Sequence, residues 1–167
     1  MLSSLAISNT YPHLLSIDLG LRFGWSCYDQ KGRLVAYGSH HCGQANKLKN
    51  IAYTSLRALP IGSLLIVEGN SELYKYWHKT AQKFQIPIRQ IYAENWRSDC
   101  LNHKEQADGK SAKEAAIRIA KTLIKSQSGQ GPHNLRHDAA EACLMGWWGL
   151  KEIQWLTEVQ FKQGLKG

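Results

Sequence analysis

Apolar and polar positions along the chain fall into blocks that predict a strand-rich first third followed by alternating strands and helices. Residues 14–17 form a short apolar run that leads into Asp18, with Gly20 and Gly24 close behind. Residues 25–28 and 33–38 are rich in strand formers, and Asp29-Gln30-Lys31-Gly32 between them is a turn signal. Together these segments predict three consecutive antiparallel strands. Over residues 45–59 the apolar positions Leu48, Ile51, Ala52, Leu56 and Leu59 follow helical spacing, and Pro60 and Gly62 end the pattern. Residues 63–67 have the length of a buried strand, with Glu68 at its C-terminal end. Ser71 can cap a helix running to about Phe84, which Pro87 stops, and residues 87–93 read as a further strand.

Residues 94–109 carry few apolar side chains and read as a polar connection. Ser111 then opens an amphipathic helix whose apolar face is Ala112, Ala115, Ala116, Ile119, Ala120, Leu123 and Ile124. A loop rich in Gly, Ser, Gln and Pro covers residues 126–134, and a last helix runs from about Leu135 through Trp148. The order β-β-β-α-β-α-β-α-α indicates an α/β protein: a mixed five-stranded sheet flanked by helices. Sites in such sheets gather at the C-terminal ends of the strands. One domain over residues 1–167 is the expected organisation. Residues 151–167 form a possible helical tail with Ile153, Leu156 and Val159 on one face.

Charge narrows the choice of partner. The chain has 21 Lys and Arg against 13 Asp and Glu, a net charge of +8, and an isoelectric point near 9.4. Such a balance favours a polyanion, nucleic acid ahead of a membrane surface. Cys27, Cys42, Cys100 and Cys143 show no Cys-x-x-Cys or zinc-finger spacing and read as reduced packing residues. The consecutive His40, His41 and Cys42 point to alternate sides of a strand and do not converge on one ion. The first residues lack a secretory pattern and no apolar run spans a bilayer, so a cytoplasmic protein is expected.

Four carboxylates interrupt or border otherwise apolar segments: Asp18, Glu68, and the pair Asp138 and Glu141. Each has an ordinary explanation when taken alone. Asp18 can cap a turn, Glu68 can pair with an arginine, and acidic residues at a helix start suit the macrodipole. Taken together they place charge at the edge of buried structure on three separate segments, which is costly without a partner or a cation. Asp138 and Glu141 are three positions apart and share a helix face. Clustered hard oxygen ligands suit Mg²⁺ or Mn²⁺. Two such ions about 4 Å apart can clamp a phosphodiester, one activating water and the other stabilising the leaving oxygen.

Further residues are candidates for the same chemistry. His137 can serve as a proton shuttle or a ligand, although its helix position points about 100° away from Asp138. Arg136 can meet the scissile phosphate or neutralise the acidic pair. Trp96 and Arg97 can stack against a base or sugar, or Trp96 can anchor its loop. Tyr74, with Tyr76 and Trp77, can stack on bases, while Leu73, Trp77 and Phe84 at helical spacing also suit a core. Lys110 and Lys113 at a helix start suit phosphate contact.

The segments SIDLGLRFGWSCYD, LLIVEG, GKSAKEAAIRIAKTL and HDAAEACLMGWWG, in that order over residues 14–150, resemble the RuvC-like Holliday-junction resolvases. The resemblance implies an RNase H-like fold and Mg²⁺-dependent cleavage of branched DNA in recombination and repair. It implies Asp18, Glu68, Asp138 and Glu141 as metal ligands, with Lys110 and Lys113 facing DNA. Two features depart from the family. Glu141 stands where members commonly carry Asp. The segment from Glu68 to Tyr92 is also shorter than the one in which bacterial resolvases build their dimer helix, which weakens the expectation of a homodimer. A non-catalytic nucleic-acid-binding module on the same fold, or a nuclease acting on RNA, are the competing readings.

Overall fold

The structure, a computed structural model, describes residues 12–167. The N-terminal stretch that lacks a secretory pattern lies, up to residue 11, outside the described residues. Strands β1 (His13–Asp18), β2 (Arg22–Asp29) and β3 (Leu34–His41) form the expected antiparallel meander, and β4 (Leu64–Glu68) and β5 (Ile88–Ile91) join parallel to β1. The sheet order is β3-β2-β1-β4-β5. Helices α1 (Ala45–Arg57), α2 (Tyr74–Lys83), α3 (Ala93–Cys100), α4 (Gly109–Ser128), α5 (His137–Glu152) and α6 (Glu158–Lys166) flank it.

Strand alternation sorts the helices onto two faces. Leu15, Ile17, Phe23, Trp25, Leu65 and Val67 point to one side, where α1 and α2 cover them with Leu48, Ala52, Leu56, Trp77 and Ala81. Leu14, Tyr28 and Ile66 point to the other, into a second core shared with α4, α5 and α6. Helix α5 is the centre of that layer. All of residues 138–150 are buried, as a helix enclosed on every side requires. It lies close on the sheet: the hydroxyls of Ser16 and Ser26 donate to the Ala142 carbonyl at 2.7 and 2.8 Å, and Tyr28 donates to the Cys143 carbonyl at 2.8 Å. Gly146 permits the approach, because a Cβ there would sit 2.6 Å from the Ser26 hydroxyl.

Helix α3 departs from the sequence expectation by occupying the stretch read as a polar connection. Helix α6 lies within the tail read as a possible helix, but the tail face differs. Gln154, at φ 63°, turns the chain after α5, so Leu156 is buried but Val159 is 64% exposed, and Phe161 anchors α6 instead. Thr157 caps α6 by accepting from the Gln160 amide. Helix α4 starts earlier than expected because Asp108, not Ser111, caps it; its carboxylate accepts from the Ser111 amide at 2.8 Å. The four cysteines are free and buried. Among the described residues no helix is long and apolar enough to cross a membrane.

The chain direction sets which end of each helix meets the site. Gln127, near the end of α4, bonds Gly32 and Leu34 at the β2–β3 turn. A Cβ on Gly32 would meet Leu150, near the end of α5, and Leu156 just beyond it. Helices α4 and α5 therefore run parallel, and both begin at the opposite end of the sheet, where Asp18 and Glu68 stand.

Candidate active site

Asp18 and Glu68 are the last residues of β1 and β4 and are direct partners in the parallel register. Paired positions share a face, and theirs is the α5 face that Ser16 and Ile66 also line. Gly24 is the β2 partner of Asp18. A Cβ at Gly24 would lie 1.8 Å from the Asp138 carbonyl oxygen and 2.6 Å from the Ala139 nitrogen. The missing side chain lets the first turn of α5 rest on the strand backbone. Asp138 and, one turn later, Glu141 are thereby brought to the end of the sheet where Asp18 and Glu68 stand, both buried.

Three of the four carboxylates are held by specific donors. Ser39 Oγ, in β3 opposite Gly24, donates to Asp138 Oδ2 at 2.8 Å, and the Ala139 amide donates to Oδ1 at 2.8 Å. Arg136 Nε lies 3.5 Å from the same Oδ2. Arg97 Nη2 donates to Glu141 Oε1 at 2.5 Å. Trp96 Nε1 donates to Glu68 Oε2 at 2.6 Å. The Asp18 carboxylate receives no hydrogen bond from any described residue. Burial pushes its pKa up to about 8, and the charges of Glu68, Glu141 and Asp138 add to the rise while Arg97 opposes it. Glu68 is also raised by burial, with the Trp96 hydrogen bond acting against that shift.

Helix α3 supplies two of these donors from adjacent positions. Its start is fixed by Asn95, whose side chain accepts from the Tyr92 amide at 2.8 Å. Trp96 and Cys100, one turn apart, are its buried contacts. Asp99 ties it to α5 by accepting from Trp148 Nε1 at 2.9 Å and Lys151 Nζ at 2.6 Å. Trp96 is fully buried, which corrects the reading of it as a stacking platform for a base or sugar: its ring fills the core and its N–H holds Glu68. Arg97 faces Glu141 rather than open solvent. Tyr74 is half-buried against the α1–α2 layer, with its ring stacked on His78 at 5.5 Å.

The remaining candidates sit at the same end of the fold. Arg136 is the N-cap residue of α5 and His137 its first residue, half-buried. Lys110 and Lys113 are exposed in the first turns of α4, with Lys110 at 4.0 Å from Glu114. Ser39 joins the site without being marked in the sequence, and Gly24, noted there only as following Asp18, joins it too. Gly24 pairs with Asp18 on one side and Ser39 on the other, and its lack of a side chain gains meaning once α5 is known to cross it.

Among the described residues no three His, Cys, Asp or Glu side chains stand together as a group ready to hold one metal ion. The donors explain this: Glu141 is turned to Arg97, Asp138 to Ser39, and Glu68 to Trp96. The donor chemistry of the set suits a hard divalent cation, being all oxygen and, at Asp18, without a hydrogen-bond donor.

No protein-family model matches the chain, and no curated protein matches it in sequence. A solved structure of T. thermophilus RuvC in complex with Holliday junction substrate matches with a TM-score of 0.60, covering 86% of this chain and 96% of that one at 11% identity. The fold is RuvC-like. In this sheet the ends of β1 and β4 are neighbours by register, and the start of α5 rests on β2 beside them. That topology places residues 18, 68, 138 and 141 at one end of the sheet, and the identity of the four side chains is what this sequence adds.

Proposed function

We propose that this protein is a divalent-cation-dependent endonuclease that cleaves branched DNA, a Holliday-junction resolvase of recombination and repair, using Mg²⁺ with Mn²⁺ as a substitute. The observation that carries the reading is Asp18: a carboxylate without a donor, facing three others at the strand ends. Asp18, Glu68, Asp138 and Glu141 would hold the cation. Bound there, it supplies Lewis-acid activation of water and stabilisation of the leaving oxygen.

The protein's own groups position that set. Trp96 fixes one oxygen of Glu68, and Ser39 with the Ala139 amide fixes both oxygens of Asp138. Such outer partners orient ligands and raise their effectiveness. Arg97 balances Glu141, and its guanidinium would suit a phosphate oxygen were Glu141 engaged by a cation. His137, the half-buried first residue of α5, would be the group to move a proton to or from the reacting oxygens. Arg136, Lys110 and Lys113 present positive charge at the carboxylate end for the flanking backbone, and Tyr74 offers an edge for a nearby base.

Incubation with labelled four-way junction, matched duplex and single strand, and an RNA counterpart, in Mg²⁺, Mn²⁺ or EDTA, tests the reading. Paired symmetric nicks in the junction, dependent on metal, support a resolvase acting as a homodimer despite the short α2. Binding without cleavage in every metal would favour a non-catalytic module, and cleavage confined to RNA would favour an RNA-directed nuclease.

A further inference from the structure

On the face of the sheet opposite α5, helices α1 and α2 lie side by side and leave a groove of about 350 Å³ between their outer surfaces. Lys49 and Tyr53 from α1 and Lys75, Tyr76, Lys79 and Lys83 from α2 line it. The three α2 lysines are spaced four apart and form one ridge. Like charges at that spacing oppose helix formation. Among the described residues, Lys75 alone of these lysines has a carboxylate partner, Glu72 at 3.0 Å; Lys49, Lys79 and Lys83 form no ion pair with a described residue.

The ridge is interleaved with aromatic rings. Tyr53 is 36% exposed, with its ring tilted onto Phe84 at 5.1 Å and the Lys83 ammonium 4.9 Å from its centroid. Lys75 lies 5.5 Å from the Tyr76 ring. Uncompensated ammonium groups along a concave, aromatic-lined path match the chemistry of an unpaired nucleic-acid strand, whose phosphates meet lysine and whose bases stack. A duplex keeps its base faces covered and offers such a groove only phosphate. Both helices begin at the carboxylate end of the sheet: α1 follows β3, which carries Ser39, and α2 follows β4, which ends at Glu68. The groove therefore leads away from the site along the far face.

We propose that the α1–α2 groove is a second nucleic-acid site that binds single-stranded DNA, separate from the carboxylate centre. The proposal rests on DNA being the substrate. Fluorescence anisotropy with fluorescein-labelled oligo(dT) and a matched duplex, across a salt series, tests it. Lys79→Gln/Lys83→Gln should weaken oligo(dT) binding about tenfold and flatten the slope of log affinity against log salt by about 1.4, from about 0.7 for each phosphate no longer neutralised. Tyr53→Leu should weaken it about tenfold with the slope unchanged, and Tyr53→Phe should bind as the parent does. Parental affinity and slope in the lysine variant, or an equal loss on duplex, would overturn the proposal. Junction cleavage by the same lysine variant keeps the two readings apart. Metal-dependent nicking that persists while oligo(dT) binding falls supports both. Absence of nicking in the parent protein, with the lysine effect intact, refutes the nuclease reading and leaves the groove.

Discussion

Gly24 and Asp138 meet backbone to backbone: a Cβ on Gly24 would lie 1.8 Å from the Asp138 carbonyl oxygen. That contact seats the first turn of α5 on β2 and so brings the acidic pair to the end of the sheet where Asp18 and Glu68 stand. Gly24→Ala cannot be accommodated without moving one backbone from the other. The expected cost is about 3 kcal/mol, at the upper end for overpacking, or a fall in Tm of about 6–12 °C for a protein of this size. Thermal unfolding checks it. Stabilisation by Mn²⁺ should also shrink in the variant, because Asp138 and Glu141 no longer sit in register with the strand ends.

Arg97 and Glu141 form a largely buried pair at 2.5 Å. Arg97→Gln leaves Glu141 buried without a cation, and removing one member of such a pair costs about 3 kcal/mol. The metal-free protein should lose that stability in a denaturant titration. Added Mn²⁺ should restore more of it than the parent gains, since the competing guanidinium is gone. An equal response in both proteins would contradict the role given to Arg97.

The raised pKa of Asp18, about 8, predicts how metal-free stability depends on pH. A carboxyl whose folded pKa lies above its unfolded value contributes its full stability below the unfolded value. That contribution is lost as pH rises through the folded one, because the unfolded state releases the proton first. In EDTA the protein should therefore lose stability steadily from about pH 4 to pH 8, with the upward shift of Glu68 acting in the same direction. Asp18→Asn should flatten the upper part of that profile and be the more stable protein at about pH 8. Mn²⁺ should stabilise the parent more at about pH 8 than at about pH 6, where the proton competes with the cation.

Much of this arrangement is legible in the sequence because strand and helix periods are written in apolar spacing. The meander, the strands ending at Asp18 and Glu68, and the helices of residues 109–128 and 137–152 all carry that spacing. Helix α3 shows it only faintly: Ala93, Trp96 and Cys100 are its apolar residues and only Trp96 and Cys100 are buried, too short a run to stand out from the polar stretch that follows. Its docking depends on Arg97 meeting Glu141 and Asp99 meeting Trp148, pairings 44 and 49 residues apart. Local patterning holds no trace of pairings at that separation. The two readings of Trp96, a stacking platform or a loop anchor, stay open in the sequence for the same reason, since a tryptophan in a polar stretch shows its burial only with the helix that encloses it. Ser39 is one of several serines in the chain, and only its strand register opposite Gly24 marks it out.

Trp96→Phe keeps a ring in the core but removes the N–H that holds Glu68 Oε2 at 2.6 Å. Loss of a hydrogen bond to a charged acceptor predicts about 2 kcal/mol of destabilisation. Loss of a partner that orients a ligand predicts a fall of about 10- to 100-fold in metal affinity. Mn²⁺ binding by calorimetry checks the second figure, and unfolding in EDTA the first. Parental Mn²⁺ affinity would separate Trp96 from any part in the site.

The proposed function stands or falls on whether the cluster around Asp18 is a cation-dependent phosphodiesterase centre. Single-turnover cleavage of a labelled four-way junction by Asp18→Asn, beside the parent in Mg²⁺, decides it. The expected result is a folded variant that binds the junction at least as tightly as the parent and makes no nick. A variant that cuts at the parental rate would refute the assignment.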